Sequence, residues 1–394
     1  MKILHIATDD KFIEQAIPVF ESVFPGKNDV IIFTKTTPLQ YVKLQTAKVV
    51  LKNKLFFTRA AVDREIYNRY EIIVFHSFSH LTYPEIFNIP INKATIWLGW
   101  GYDYYEDTLG KDTLLLEKTL NLSKRLEPTT PIYVIKKIIK KSAVFLGVIA
   151  SKKKAIERLT IFAPVLPSEF DMVKNSKNWK RFPDHAIWNY GTIEDNLIKG
   201  FETESVSGNS ILVGNSASLE CNHAEAFDIL KSIGISDRKV VVPLSYGQLE
   251  YSKLISTLGK DYFGENCESL NTFMPIEDYV KTIRKCGYVI MNHKRQQAVG
   301  NIVIMLYLGA RVFVRTENPV FRFFNSLGIQ LSTMEELENN HDLINTPLSR
   351  AERAWNRKTV SNYWSREKAF RRTEQLINNA FSLSQQYNTD SKKH

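Results

Sequence analysis

The chain has 394 residues, with 52 Lys and Arg against 42 Asp and Glu, for a net charge of +10. With 44% hydrophobic and 24% charged residues it is no disordered chain, and its length suits about two domains of roughly 100–200 residues each. The basic excess favours an acidic partner: nucleic acid, an anionic membrane or a phosphorylated substrate. In chain order, the runs at 2–8, 30–34, 72–77 and 94–100 read as buried strands, separated by segments with helical spacing such as Phe12, Ala16, Val19, Phe20 and Val23. The start, MKILHIATDD, is too acidic for a secretion signal. Residues 131–160 carry eight basic residues against the single acid Glu157, with Ile138 and Ile139 on an apolar face. A helix of this kind is expected to lie on an anionic membrane surface, with a solvated face or nucleic-acid binding as the alternatives. Its longest apolar stretch, residues 143–150, is far short of the about 20 residues a spanning helix needs.

Alternation restarts with strands expected at 211–216, 240–244, 288–292 and 311–315 and helices at 222–232, 247–258, 275–285, 300–308 and 318–327. A long helical tail covers about 350–384. Two α/β halves of this type predict two Rossmann-like domains facing a cleft. The expected domains are residues 1–205, with the basic segment 131–160 facing the membrane, residues 206–350, and a C-terminal helix and tail from 351 to 394. Cys221, Cys267 and Cys286 fit no metal-ligand spacing and suggest free thiols in a reducing compartment.

Chemistry is expected where strands end, because open parallel sheets bind ligands at their carboxyl edges. Gly214, Asn215 and Ser216 end one strand and precede Asn222 and His223. This turn either brings backbone close to a phosphate or is an ordinary strand-to-helix turn with Asn222 as its cap. Lys294, Arg295, Gln296, Gln297 and Gly300 follow another strand. Arg295 has the fork geometry for phosphate and the glutamines suit sugar hydroxyls or a base, unless this is a solvated basic loop. Glu317 can bond hydroxyls, while Asn318 and Pro319 form a helix-start signal. In the first half, His76 and the segment Trp97, Trp100, Tyr102 and Asp103 combine aromatics with a carboxylate, which suits carbohydrate; core packing is the alternative for the tryptophans. Asp103 is the first candidate for general base toward an acceptor hydroxyl and His76 the second. No GxxxxGK[ST] loop, HExxH or GxSxG occurs, and no GxGxxG follows the first strand. Asp9-Asp10 reads as a turn and helix start rather than a metal site.

Taken as an ordered set, these segments resemble the bacterial TDP-N-acetylfucosamine:lipid II N-acetylfucosaminyltransferases, the 4-alpha-L-fucosyltransferases of glycosyltransferase family 56. The resemblance rests on ILVGNS at 211–216, KVVVPLSYG at 239–247, Arg295-Gln296-Gln297 with Gly300, the Glu317-Asn318-Pro319 strand end and Trp100-Gly101 with Asp103, and spans roughly residues 70–340. It departs from the family at Tyr104, where Leu is usual, and over 166–209. It implies a GT-B fold whose C-terminal helix crosses back to the first domain. It also implies an inverting, metal-independent enzyme without a cofactor. Gly214, Asn215, Ser216, Arg295, Gln296, Gln297, Gly300, Glu317 and Asn318 would bind the TDP-sugar, and Trp97, Trp100 and Tyr102 a polyprenyl-diphosphate-linked glycan. It further implies a peripheral protein on the cytoplasmic face of the bacterial inner membrane, acting in surface-polysaccharide synthesis, with no nucleic-acid partner. A glycerol- or ribitol-phosphate transferase and a non-catalytic binder of anionic polymers are the competing expectations.

Overall fold

The computed structural model describes residues 1–52, 60–126, 151–235 and 237–390. The chain divides into two compact units: residues 1–108, 128–191 and 366–394 form the first, and residues 109–127 and 192–365 the second.

The first unit is a parallel sheet of seven strands: β1 (Ile3–Thr8), β2 (Asn28–Thr34), β3 (Lys48–Leu51), β4 (Ile72–His76), β5 (Ala94–Leu98), β6 (Ile161–Ala163) and β7 (Asp184–His185). Their order is β3-β2-β1-β4-β5-β6-β7, with every pairing parallel. The central strands are buried on both faces, which is why they read as uninterrupted apolar runs. Ile3, Ile72, Val74 and Ile96 pack with Leu376, Ile377 and Ala380 of the C-terminal helix Arg366–Asp390, so this helix returns to the first unit as expected. Each aliphatic side chain that it buries contributes roughly 1.5–3 kcal/mol.

The second unit is a six-stranded parallel sheet: β8 (Ser210–Val213), β9 (Val240–Pro243), β10 (Cys267–Leu270), β11 (Cys286–Met291), β12 (Arg311–Val314) and β13 (Ser332–Thr333), in the order β10-β9-β8-β11-β12-β13. All its pairings are parallel as well. The helix Val299–Leu308 buries eight of its ten residues, and its apolar character all round marks a helix covered on every side. Residues 109–127, early in the chain, belong here: Leu115 joins the core, and Thr119 of the helix Glu117–Leu126 bonds Glu225 through its N–H (2.8 Å) and hydroxyl (2.6 Å).

In both sheets the strand order reverses once, between β1 and β4 and between β8 and β11. The carboxyl ends of the strands flanking such a reversal are where open α/β sheets hold ligands. The strands absent from the sequence reading are β3, β6, β7, β10 and β13. They are short, and β3 and β7 are largely exposed, so they lack the apolar run that marks a central strand. Residues 131–150 of the basic segment lie outside the described residues. In the part described, Lys152 pairs with Asp107 at 2.6 Å and Lys153 with Glu157 at 3.8 Å. Among the described residues no helix is long and apolar enough to cross a membrane.

Candidate functional site

In the second unit β8 runs straight into Gly214, whose φ of +68° lies in the left-handed region. A Cβ there would fall 2.5 Å from His223 Nε2, so both conformation and space demand glycine. The loop after β11 lies alongside. Gln297 Nε2 donates to Asn215 Oδ1 at 3.0 Å and to Ser216 Oγ at 3.3 Å. His293 Nε2 lies 3.2 Å from Asn215 Oδ1 and 3.3 Å from Cys221 Sγ. Asn222, left-handed at φ 49°, exchanges bonds with Asn292: each side-chain amide donates to the other's carbonyl at 3.1 Å. Asn222 Oδ1 also accepts from the Leu116 N–H at 2.8 Å, so the crossover segment fixes the turn. Asn222 makes no side-chain cap bond to the helix His223–Ile233; the β11 loop has its amide instead.

The third loop closes on these two. Asn318 Nδ2 donates to His293 O (2.9 Å) and Arg295 O (2.8 Å), while its Oδ1 accepts from Val320 N (2.9 Å). The cap expected from Asn318-Pro319 is therefore present, and the same side chain also holds the β11 loop. Gly214, Asn215, Ser216, Gln297 and Asn318 thus meet at one edge of one sheet.

The floor of this edge is neutral. Burial lowers the His223 pKa to about 3, pushes that of His293 well below the usual imidazole value, and raises the Cys221 thiol. His223 Nδ1 meets Tyr251 Oη at 3.2 Å. His223 Nε2 and Gln297 Oε1 are buried and make no hydrogen bond among the described residues, which is uncommon for buried polar atoms. The cations lie above this floor. Arg295 is 6% exposed, donates to Gln296 O at 2.8 Å and sits 3.8 Å from Glu220. Lys294 lies 3.9 Å from Glu317, and Arg315 lies 3.1 Å from Glu317 and 3.2 Å from Glu335. The helix Val299–Leu308 begins here behind Ala298 (φ 61°), with no capping side chain and no acid in its first turn. Such an N-terminus favours an anion. Gly300 lies in that turn, where a Cβ would meet only Leu197, at 3.8 Å.

The first unit's candidates are placed differently. Asp103 is 2% exposed, and its Oδ2 accepts from the Phe78 N–H and Trp97 Nε1, both at 2.7 Å, while Oδ1 accepts from the Trp100 N–H at 2.9 Å. Three donors occupy this carboxylate, which holds the β4 and β5 loops together. Trp97 is fully buried and stacks on Phe162 at 4.0 Å, in the core-packing alternative. Trp100 packs against Phe12, Tyr102 and Tyr190, and Tyr102 is half exposed with its hydroxyl on Ser77 Oγ at 3.0 Å. His76 is buried between His5 (2.9 Å) and the hydroxyl of Tyr190 (2.9 Å), and burial pushes its pKa well down. Asp9 accepts from the N–H groups of Gln40, Tyr41 and Val42 and pins that loop, while Asp10 caps the first helix through Phe12 N. Nothing in the sequence marks Tyr190, whose hydrogen-bond partner His76 lies 114 residues away, or the Asn222–Asn292 exchange.

The family model of the 4-alpha-L-fucosyltransferase glycosyl transferase group 56 matches residues 158–352, which include every candidate residue of the second unit. Among solved structures, HepE from Anabaena in complex with UDP aligns with a TM-score of 0.63 at 11% identity over 96% of this chain and 100% of that one. The UDP-forming alpha,alpha-trehalose-phosphate synthase from Burkholderia xenovorans aligns at 0.61 with 10% identity, over 98% and 100%. A trehalose-6-phosphate protein from E. coli bound with UDP-2-fluoro glucose aligns at 0.59 with 9% identity, over 96% and 99%. Likeness at this level of identity shows the fold: two parallel-sheet Rossmann-like domains of the GT-B class.

Proposed function

We propose, for a chain that belongs through residues 158–352 to glycosyl transferase group 56 and is therefore a nucleotide-sugar-dependent glycosyltransferase, that the donor is a TDP-linked N-acetylfucosamine-type sugar and the acceptor a polyprenyl-diphosphate-linked glycan. The observation that carries the donor half is the amide-knit edge at the β8–β11 reversal. There Gly214, Asn215, Ser216 and Gln297 sit beside Arg295, Lys294 and an uncapped helix N-terminus. As the sugar C1–O bond to the diphosphate breaks, its electron pair leaves as negative charge on the phosphate. Preorganised N–H groups and a guanidinium stabilise that charge without rearranging. Glu317 and Gln296 are assigned to sugar or base hydroxyl and amide groups.

The acceptor half belongs to the carboxyl edge of the first sheet, where Trp100 and Tyr102 offer ring faces to a sugar. Inversion follows if the acceptor oxygen attacks C1 opposite the departing diphosphate. Asp103, its oxygens taken by three N–H donors, suits the holding of this edge better than proton removal; His76 keeps a route to the edge through Tyr190. A lipid-linked acceptor implies a peripheral position at the cytoplasmic face of the inner membrane, for which the chain's charge of +10 is suited.

A thermal-shift screen with TDP, UDP, GDP and CDP tests this reading. A ligand at 100 times its Kd stabilises the folded protein by about 2.7 kcal/mol, and TDP is expected to give the largest shift. A CDP preference would turn the reading to the glycerol- or ribitol-phosphate transferases, and no shift with any nucleotide would remove the donor site. Anionic vesicles should retain the protein at low salt and release it as salt rises.

A further inference from the structure

The first unit contains a hydrogen-bonded line that no motif announces. Asn28 Nδ2 donates to Glu21 Oε2 and to Phe24 O, both at 2.8 Å, which makes its Oδ1 the acceptor end of the amide. His5 Nε2 lies 3.2 Å from that Oδ1, so Nε2 carries the His5 proton. Burial lowers the His5 pKa to about 4, which leaves the ring neutral with a bare Nδ1. His76 Nε2 is 2.9 Å from His5 Nδ1 and must therefore donate to it. His76, also neutral, then has a bare Nδ1, 2.9 Å from Tyr190 Oη, and Tyr190 must donate there. Each tautomer is fixed by the one before it, beginning at Asn28.

The line runs inward from a partly exposed end. His5 and His76 are fully buried, whereas Tyr190 is half-buried, beside Phe12 (5.5 Å) and Trp100 (5.7 Å). Because its own proton points at His76, the Tyr190 oxygen meets its other neighbours only as an acceptor, and the Trp100 side chain is one donor to it. It lies at the edge where Trp100 and Tyr102 stand, and an acceptor oxygen there is matched by a hydroxyl donor.

We propose that Tyr190 is a catalytic residue that receives the proton of the attacking acceptor hydroxyl and relays its own to His76 Nδ1, with His5 and Asn28 as positioning residues that set the direction. This rests on the transferase reading given above. In the step, the acceptor oxygen forms its bond to C1 and the C1–O–phosphate bond breaks, its electron pair going to the diphosphate. The hydroxyl proton passes to Tyr190 Oη as the phenol proton passes to His76 Nδ1, leaving one imidazolium and no net change in proton count. In the opposite tautomer His76 Nδ1 would donate to Tyr190 Oη and could not receive the phenol proton. Burial assists by keeping His76 unprotonated and free to accept at neutral pH.

Two measurements test it. Nitrogen-15 side-chain NMR of the unsubstituted protein at pH 7 should show His5 and His76 neutral, with both protons on Nε2; a proton on His76 Nδ1 overturns the proposal whatever the enzyme acts on. The second is release of TDP from TDP-N-acetylfucosamine in the presence of a polyprenyl-diphosphate-linked glycan. Tyr190→Phe should lower kcat about a hundredfold or more, in the range of general acid–base catalysis, with the TDP thermal shift unchanged. A kcat within about threefold of the unsubstituted enzyme overturns the relay. Absence of turnover and of a TDP shift in the unsubstituted protein would sink the transferase reading instead, and the NMR result would still decide the direction of the line. Asn28→Leu, which removes the group that sets the direction, should populate the Nδ1 tautomer of His76; unchanged tautomers would show that Asn28 does not set it.

Discussion

The two sheets share one strand plan but treat their reversal points oppositely. In the first unit the titratable groups there are bonded to protein partners: Asp103 holds three N–H groups and His76 is bonded at both nitrogens. In the second unit His223 Nε2 and Gln297 Oε1 are buried without a partner among the described residues, around a turn that tolerates nothing larger than hydrogen at Gly214. Buried polar atoms without partners destabilise a fold, typically by about 1–3 kcal/mol each. A site that keeps them invites a ligand with complementary polarity, whereas a site that satisfies them holds a surface in shape. The comparison supports the proposal that donor recognition belongs to the second unit and an aromatic acceptor platform to the first.

The largest effect that would break this comparison is at Gly214. Gly214→Val places a branched side chain in the left-handed region and against His223, at a cost of roughly 3 kcal/mol or more. The TDP thermal shift should vanish, and a Gly214→Val protein that melted normally and still bound TDP would show the turn is not the site. Asp103→Asn comes next. An amide has one acceptor oxygen for three donors, so unfolding in urea should show a loss of roughly 2–4 kcal/mol, while the TDP shift from the second unit persists. Unchanged stability would contradict the holding role.

Acid should weaken both units. Unfolded imidazoles take up protons below about pH 6.5, but folded His5 resists until about pH 4 and His223 until about pH 3. The unfolded chain therefore binds more protons within that window, and stability falls as pH drops through it, by up to about 1.4 kcal/mol per pH unit for each such histidine. Urea titrations at pH 7, 6, 5 and 4.5 read this slope; a flat profile would mean that the histidines are not held neutral. The smallest effect on the fold belongs to Gly300→Ala, because the added methyl would meet only Leu197, at 3.8 Å. Stability should stay within about 0.5 kcal/mol. Weaker TDP binding in this variant would sharpen the claim that a phosphate approaches that helix end.

How far the sequence disclosed this molecule depended on the kind of information involved. The carboxyl-end loops of β8, β11 and β12 were legible, because central parallel strands are apolar throughout and their ends are abrupt. The edge strand β3, with Lys48, Val49 and Leu51 exposed, carries no such run. In sequence the Trp97 to Asp103 segment reads as aromatics beside a carboxylate suited to carbohydrate, with core packing as the alternative for the tryptophans, and nothing in it tells that Trp97 Nε1 and the Phe78 and Trp100 N–H groups all donate to Asp103. Hydrogen-bond satisfaction is a property of three-dimensional neighbours, and residue type reports only the capacity for it. For the same reason Tyr190 was invisible: its partner His76 lies 114 positions away.

The central claim is that the β8–β11 edge grips a diphosphate, and its most direct test is a calorimetric titration of TDP and of thymidine into the unsubstituted protein and into Arg295→Gln. The unsubstituted protein should bind TDP at least about a hundredfold more tightly than thymidine, and Arg295→Gln should close that gap by about tenfold or more, the scale of a charge-assisted hydrogen bond. Equal affinities for TDP and thymidine, or a gap that Arg295→Gln leaves intact, would contradict it.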